Sequence, residues 1–276
     1  MTSRSVSAFN TLSKNTNEEL NSHMMTNMEW GAATYLTNSV YGKCNSTTCE
    51  EVYINNVNTG YLKSDQKFTG QWSYGATITG CSGETVNAAV MINMTSCESG
   101  NTYIEAKAST TGNITGIYDM SGGNSEYVMG VITIDNKLVS GKNNKWNSGF
   151  NGIYDAPGSD DSDATQLERT NGIDYPDSRY YNLYPYKYGF NTNERYDYTS
   201  GLVGDATKEV ANEVVNTKTE NLGLWFYDQA DFPNAVNPWF LRGGYFELGG
   251  RTGVFNFSPG PGLIYSYYSS RLVLAY

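Results

Sequence analysis

Apolar positions along this chain come in short, separated groups rather than in long periodic runs. Residues 1–16 hold no sustained period and read as an irregular lead-in. From Asn17 to Val40 the pattern turns helical. Asn27 is placed as the N-cap, and Trp30, Ala33, Leu36 and Val40 fall on one face. Residues 41–110 alternate short β-like runs, Val52–Ile54 and Tyr103–Ala106, with turns of Gly, Asn and Thr. A compact block follows at Gly116–Val131. Residues 141–200 show little period and much Tyr, Asp, Asn and Gly, as in long ordered loops or an insertion packed on aromatics. Asp205 is placed as the cap of a helix running to Thr217, with Val210 and Val214 on one face. Residues 221–276 carry aromatic strands broken by glycines, with Val254 and Asn256 on one face and Phe255 and Phe257 on the other. Trp239, Leu241, Val254, Leu272 and Leu274 have the apolar spacing of core. No repeat of 20–50 residues and no break in composition divides the chain.

Composition sharpens this picture. Hydrophobic residues make up 39% and charged residues 17%, with 29 glycines and 23 tyrosines among 276 residues. That mixture favours turns and loops over helices. Tyr, Ser, Gly and Asn are also the residues of recognition loops, because a two-torsion aromatic gives contact area at small entropy cost. The net charge is −10 and no Lys/Arg cluster occurs, which argues against a nucleic-acid partner. The longest apolar stretches, such as Ala88–Ile92, are too short to span a bilayer, so no direct membrane insertion is expected. The polar segment after Met1 lacks a signal-peptide pattern and reads as a trimmed form from which an export signal or anchor is missing.

The four cysteines are Cys44, Cys49, Cys81 and Cys97. Local pairing, Cys44–Cys49 and Cys81–Cys97, would close two short loops and imply an oxidising compartment. Free buried thiols are the alternative. Zinc is disfavoured, because the cysteine spacings are not knuckle-like and His23 is the only histidine. A Ser-His-Asp triad would rest wholly on His23, which reads better as a surface or helix-start residue. Asp160, Asp161 and Asp163 lack the glycine and distal glutamate of a calcium loop, and "GGRTG" lacks the lysine and spacing of a phosphate loop. No pair among the 28 acidic residues is marked for glycoside hydrolysis.

Three ordered segments resemble the formylglycine-generating (sulfatase-modifying-factor) branch of the C-type lectin fold. They are "MTNMEWGAATYL" at Met25–Leu36, "GNITGIYDMSGGNSEYVMG" at Gly112–Gly130, and "WFLRGGYF" at Trp239–Phe246 with the closing "SSRLVLAY". "LVGDATKEV" at Leu202–Val210 is a weaker echo. The resemblance implies one α+β, loop-rich, lectin-like domain over residues 17–276, with two helices on a small twisted antiparallel sheet. Arg242, before Gly243 and Gly244, would fork onto carbonyls or a carboxylate.

Departures from the family bear on function. Its enzymes use cysteines in the C-terminal segment, and here none follows Cys97. A related branch uses three histidines at iron. Neither catalytic set is present, so the chain is expected to be non-catalytic and to need no cofactor. Gly123 stands where the family's calcium-linked block usually has Asn, which weakens the case for a structural calcium. The calcium motifs of sugar-binding C-type lectins are also missing.

The segment between "LRGG" and "RLVLAY" is similar to the diversified ends of retroelement variable proteins. Its side chains come largely from the set reachable when adenines of Asn codons are rewritten, with Glu247 outside that set. The resemblance implies a binding surface at residues 245–270. Its candidates are Tyr245, Phe246, Leu248, Arg251, Ser258, Pro259, Pro261, Leu263, Ile264, Tyr265, Tyr267 and Tyr268. An ordinary aromatic hairpin would give the same pattern, and recognition would then pass to the tyrosine-rich loops between Trp146 and Tyr198. The expected role is an adhesin- or receptor-type module, displayed outside the cytoplasm on a cell surface, pilus or phage tail fibre. Its partner would be a protein or surface receptor. The alternatives are an enzyme of the formylglycine-generating class and a structural pilus or surface-layer subunit.

Overall fold

The structure is a computed structural model that describes residues 4–55, 108–113, 115–134, 137–138, 178–186, 203–211, 222–233 and 237–275. Their architecture is α+β: two helices and small mixed sheets joined by much irregular chain. The expected strand Tyr103–Ala106, the second pair Cys81–Cys97, the acidic loop Asp160–Asp163 and the loops from Trp146 lie largely or wholly outside the described residues. Cys44 and Cys49 form a disulfide.

The chain's start is not a lead-in. Helix α1 spans Val6–Lys14, and its N-cap Ser5 accepts from the Ala8 N–H through Oγ at 3.4 Å. Its buried face holds Val6, Phe9, Asn10 and Ser13. Two large apolar side chains are too few to register as a period, yet both are 0% exposed because a sheet lies beneath them.

Strand β1 (His23–Met24) leads into helix α2 (Asn27–Thr37). The cap is Thr26, one residue before the position expected. Its Oγ1 accepts from Glu29 N–H while the Glu29 carboxylate accepts from Thr26 N–H, a reciprocal capping box. The buried face is also turned from the expected one. Asn27, Trp30, Gly31, Thr34 and Thr37 face inward, while Leu36 is exposed and the helix ends before Val40. A tertiary bond explains the rotation: Trp30 Nε1–H (2.9 Å) and Thr34 Oγ1–H (3.1 Å) both donate to Val254 O.

Strand β2 (Ser125–Ile134) is the spine of the larger sheet, and it starts inside the block read as Gly116–Val131 and runs past it. It pairs antiparallel with β3 (Lys137–Leu138) and β5 (Trp239–Arg242), and parallel with β4 (Asn182–Tyr186) and β7 (Tyr268–Ser270). Strand β6 (Phe257–Gly260) adds antiparallel to β5, with Phe240 opposite Pro259. The sheet is therefore mixed, not antiparallel. Strand β8 (Leu272–Val273) pairs with β1 and closes the C-terminal end onto the N-terminal one.

Both faces of β2 are covered, and the period of two divides them. Tyr127, Met129 and Val131 join Val6, Phe9, Met24, Trp239 and Leu241 in the layer under α1. Val128 and Ile132 join Trp30, Phe240, Phe255 and Phe257 in the layer under α2. Val254–Phe257 does not alternate between faces as expected; all four residues are buried, and only Phe257 belongs to a strand. In the last strand the inward residue is Val273, while Leu272 is half-buried and Leu274 is 44% exposed. The expected inward pair was one residue out of register.

No helix starts at Asp205: residues 205–210 form bends and turns, with Ala206 at φ 53°, Ala211 bridges to Gly223, and 212–217 of the expected helix lie outside the described residues. The Asp205 side chain accepts from Thr207 N–H (3.1 Å) and Thr207 Oγ1–H (2.7 Å), a local turn that competes with helix formation. Val52 and Ile54 are buried but form no strand.

Candidate functional site

The C-terminal segment folds as a turn, a strand and a strap. Phe246–Arg251 is a 3-10 turn, and Ser258 and Pro259 lie on β6, at the end of the described strand order. A proline is tolerated there because no further strand needs its N–H. Residues 261–263 are then strapped down. Gly262 N–H donates to Tyr127 Oη (2.9 Å), Tyr127 Oη–H donates to Leu263 O (3.3 Å), and Val6 N–H donates to Gly262 O (3.2 Å).

This strap sorts the candidates. Arg251 is exposed, and Tyr245, Leu248, Ser258, Pro259, Ile264, Tyr265 and Tyr267 are half-buried. Pro261, Leu263 and Tyr268 are buried, so these three are scaffold rather than surface. The Phe246 side chain falls outside the described residues. The inward turn of Tyr268 follows from β7 pairing with β2, which sets its ring edge-on to Tyr127 at 5.0 Å.

Four tyrosines meet on this base. Tyr245 and Tyr267 lie 5.5 Å apart between ring centroids, and Tyr265 and Tyr267 lie 5.4 Å apart. Tyr268 meets Tyr265 edge-on at 5.0 Å and Tyr267 at 4.7 Å. Burial, and then the neighbouring phenols, push the Tyr267 and Tyr268 hydroxyls above the usual tyrosine range. The cluster thus presents aromatic rings and neutral hydroxyls, which make contact area and hydrogen bonds without charge.

A second polar centre lies deeper. Asn27 Nδ2–H donates to Tyr184 Oη (2.7 Å) and to Asp205 Oδ2 (3.2 Å), and Tyr184 Oη–H also donates to Asp205. Arg242 forks onto one carbonyl, Ala206 O, at 3.3 Å from each Nη. Its guanidinium lies 5.8 Å from the Trp30 ring and 5.6 Å from the Phe257 ring. Burial lowers the Arg242 pKa to about 10 against the pull of Asp205, and burial raises that of Asp205 against Tyr184 and Thr207. Asn27, Asp205 and Arg242 are 0% exposed, so these groups lock α2, β4, β5 and the 205–207 turn together. Gly243, at φ 78°, continues from Arg242 in a backbone region closed to most side chains.

His23 is buried rather than at the surface. Its Nδ1 donates to Asn21 O (2.9 Å) and its Nε2 meets Glu29 Oε1 (2.9 Å), with no serine in a nucleophile's place among its bonds. No group of three or more His, Cys, Asp or Glu side chains gathers at a point among the described residues. No helix there is long and apolar enough to cross a membrane. The chain matches no family model and no curated protein sequence.

The structure also exposes aromatics that the strand reading of residues 221–276 missed. The "LWFY" run at Leu224–Tyr227 forms a turn, with Phe226 at φ 54° and Tyr227 at φ 62°. It leaves Trp225 38% and Tyr227 72% exposed. An apolar run predicts a strand; only the left-handed backbone puts these rings outside.

Proposed function

We propose that this protein is a non-catalytic binding module of the adhesin or receptor type, displayed outside the cytoplasm on a lectin-like scaffold, with its C-terminal segment as the recognition surface. The carrying observation is the tyrosine cluster. Tyr245, Tyr265 and Tyr267 are partly exposed, with Tyr267 in contact with both of the others, on a base made by buried Tyr268 and Tyr127. Tyrosine on a rigid base is a common anchor of binding hot spots. Its partner is a protein or surface receptor.

The scaffold reading is supported by the way the three resembling segments meet. Met129 N–H donates to Met25 O (2.9 Å), Gly122 N–H donates to Gly243 O (3.0 Å), and Glu126 pairs with Arg242 across β2 and β5. Diversification by a retroelement fits a segment whose partly exposed stretches, 258–259 and 264–267, are held between buried ones. The Cys44–Cys49 disulfide favours an oxidising compartment.

Beads coated with the purified chain should retain intact cells that carry the receptor. Changing Tyr245, Tyr265 and Tyr267 together to serine should abolish retention and lower Tm by no more than about 5 °C. Tyr268→Ser, by contrast, should cost about 3 kcal/mol of stability. Unfolding of the triple variant, or unchanged retention by it, would sink the placement. Oxidation of a sulfatase peptide above a heat-killed control would overturn the non-catalytic reading. Self-assembly with no other binding would favour a structural subunit. A reverse transcriptase gene beside a near-copy of the segment's coding sequence would test the retroelement origin.

A further inference from the structure

The run "CNSTTC" at residues 44–49 holds an Asn-x-Thr tripeptide, the acceptor pattern for an N-linked glycan. The Asn-x-Ser/Thr pattern recurs at 113–115 and 256–258, and at 93–95 outside the described residues. A tripeptide is an acceptor only where its amide can be reached, and the surroundings of the amide separate the three described copies.

Asn45 stands at the tip of a tight hairpin. The Cys44–Cys49 disulfide closes it, Glu50 N–H donates to Lys43 O (2.9 Å) on one side of that bond, and Asn45 N–H donates to Thr48 O (2.8 Å) on the other. Residues 45–50 are all exposed. Asn45 Oδ1 accepts from Thr47 N–H and from Thr47 Oγ1–H, both at 2.9 Å, so the hydroxyl that the pattern requires is already on the acceptor amide. Nδ2 carries two hydrogens and donates one to Thr48 Oγ1 (3.0 Å), which leaves the other for substitution. Asn113 repeats the arrangement: it and Thr115 are exposed, and the Thr115 N–H (2.9 Å) and hydroxyl (2.5 Å) both donate to its Oδ1.

Asn256 is the opposite case. It is 0% exposed, and its Nδ2 donates to Arg251 O (2.7 Å). A Cβ at Gly244 would already lie 3.1 Å from that nitrogen, so a sugar on it has no room in the folded chain.

We propose that Asn45 and Asn113 are acceptor sites for N-linked glycans and that Asn256 is not. In the transfer, Nδ2 bonds to the anomeric carbon of a lipid-diphosphate-linked oligosaccharide. The bond from that carbon to the diphosphate oxygen breaks, the lipid diphosphate leaves, and one amide proton passes to the transferase. The added sugar is bulky and hydrophilic, which suits a hairpin tip and not a core. The proposal rests on the extracytoplasmic placement given above, since the transfer belongs to a secretory compartment that also forms disulfides.

The test secretes the full chain from eukaryotic cells. Its peptides are mapped by mass spectrometry before and after a peptide N-glycosidase, which turns a glycosylated Asn into Asp. Asn45 and Asn113 should carry glycan, and the Asn256 peptide should be bare. Asn45→Gln and Thr47→Val should each abolish the glycan at residue 45 while secretion and the Cys44–Cys49 bond persist. Bare Asn45 or Asn113 in a secreted chain with that bond intact would overturn the proposal alone. So would Asn45 found as aspartate before the enzyme is added, or glycan on Asn256 of the folded chain. Free thiols at Cys44 and Cys49 in the secreted chain would sink the extracytoplasmic placement and this proposal with it.

Discussion

Arg271 forks onto Glu126: Nη2 lies 2.6 Å from Oε1 and Nε 3.1 Å from Oε2, joining the residue before β8 to the second residue of β2. The carboxylate is 7% exposed, and the guanidinium also lies 5.8 Å from the Trp30 ring. Burial raises the Glu126 pKa and Arg271 pulls it back down. Arg271→Gln should therefore strand a buried carboxylate and cost about 3 kcal/mol in urea unfolding. The Arg271→Met/Glu126→Leu double variant, with both charges gone, should recover most of the loss. A single variant within about 0.5 kcal/mol of the parent would show the pair to be energetically neutral.

Gly31 occupies the middle of α2, where alanine is normally better by about 1 kcal/mol. A Cβ at this position would lie 2.3 Å from the Asp205 backbone, which cannot swing aside as a side chain can. Gly31→Ala should thus destabilise by about 2 kcal/mol or more, despite its better propensity, by driving Asp205 off Asn27. A rise in Tm for this variant would mean that the two backbones are not in contact in solution.

Asp228 and Glu51 should set the pH response. Burial raises the Glu51 pKa from 4.5 to about 7, and burial followed by the Glu51 charge raises Asp228 well above 3.8. Both folded-state values lie above the unfolded ones, so the folded form holds protons more tightly. Their contribution is full below about pH 4 and is lost as pH climbs through about 7. Tm should fall from pH 5 to pH 8. Asp228→Asn, which keeps an oxygen to accept from Phe255 N–H, should raise Tm at pH 8 and flatten the slope. A parent whose Tm is level or rising over that range would contradict the assignment.

Parts of the site were legible along the chain and parts were not. Tyr245, Tyr265 and Tyr267 lie at or near the surface, as a tyrosine-rich, charge-poor segment suggests. Tyr268 looks no different from Tyr267 in sequence, yet pairing of β7 with β2 turns its ring onto Tyr127. Leu263 and Pro261 are hidden by bonds to Tyr127, 135–136 residues away for the Gly262 and Leu263 contacts. Asp205 read as a helix cap because Asp favours that place, but its Oδ2 is taken by partners 21 and 178 residues away.

By itself, then, the sequence determined what local chemistry can decide. The helix at residues 27–37 follows from polar capping residues ahead of Trp30 and the small residues after it, the Cys44–Cys49 bond from a separation of five, and the loop-rich character from glycine, asparagine and tyrosine in place of long periods. Tertiary structure alone decided which face of α2 is buried, through the Val254 carbonyl that Trp30 and Thr34 share. It made a helix of Val6–Lys14, whose Val6 and Phe9 have value only over a sheet built from residues more than a hundred positions later. It also turned the sheet from antiparallel to mixed, because strand direction depends on the path of the intervening chain and not on the strand's own residues.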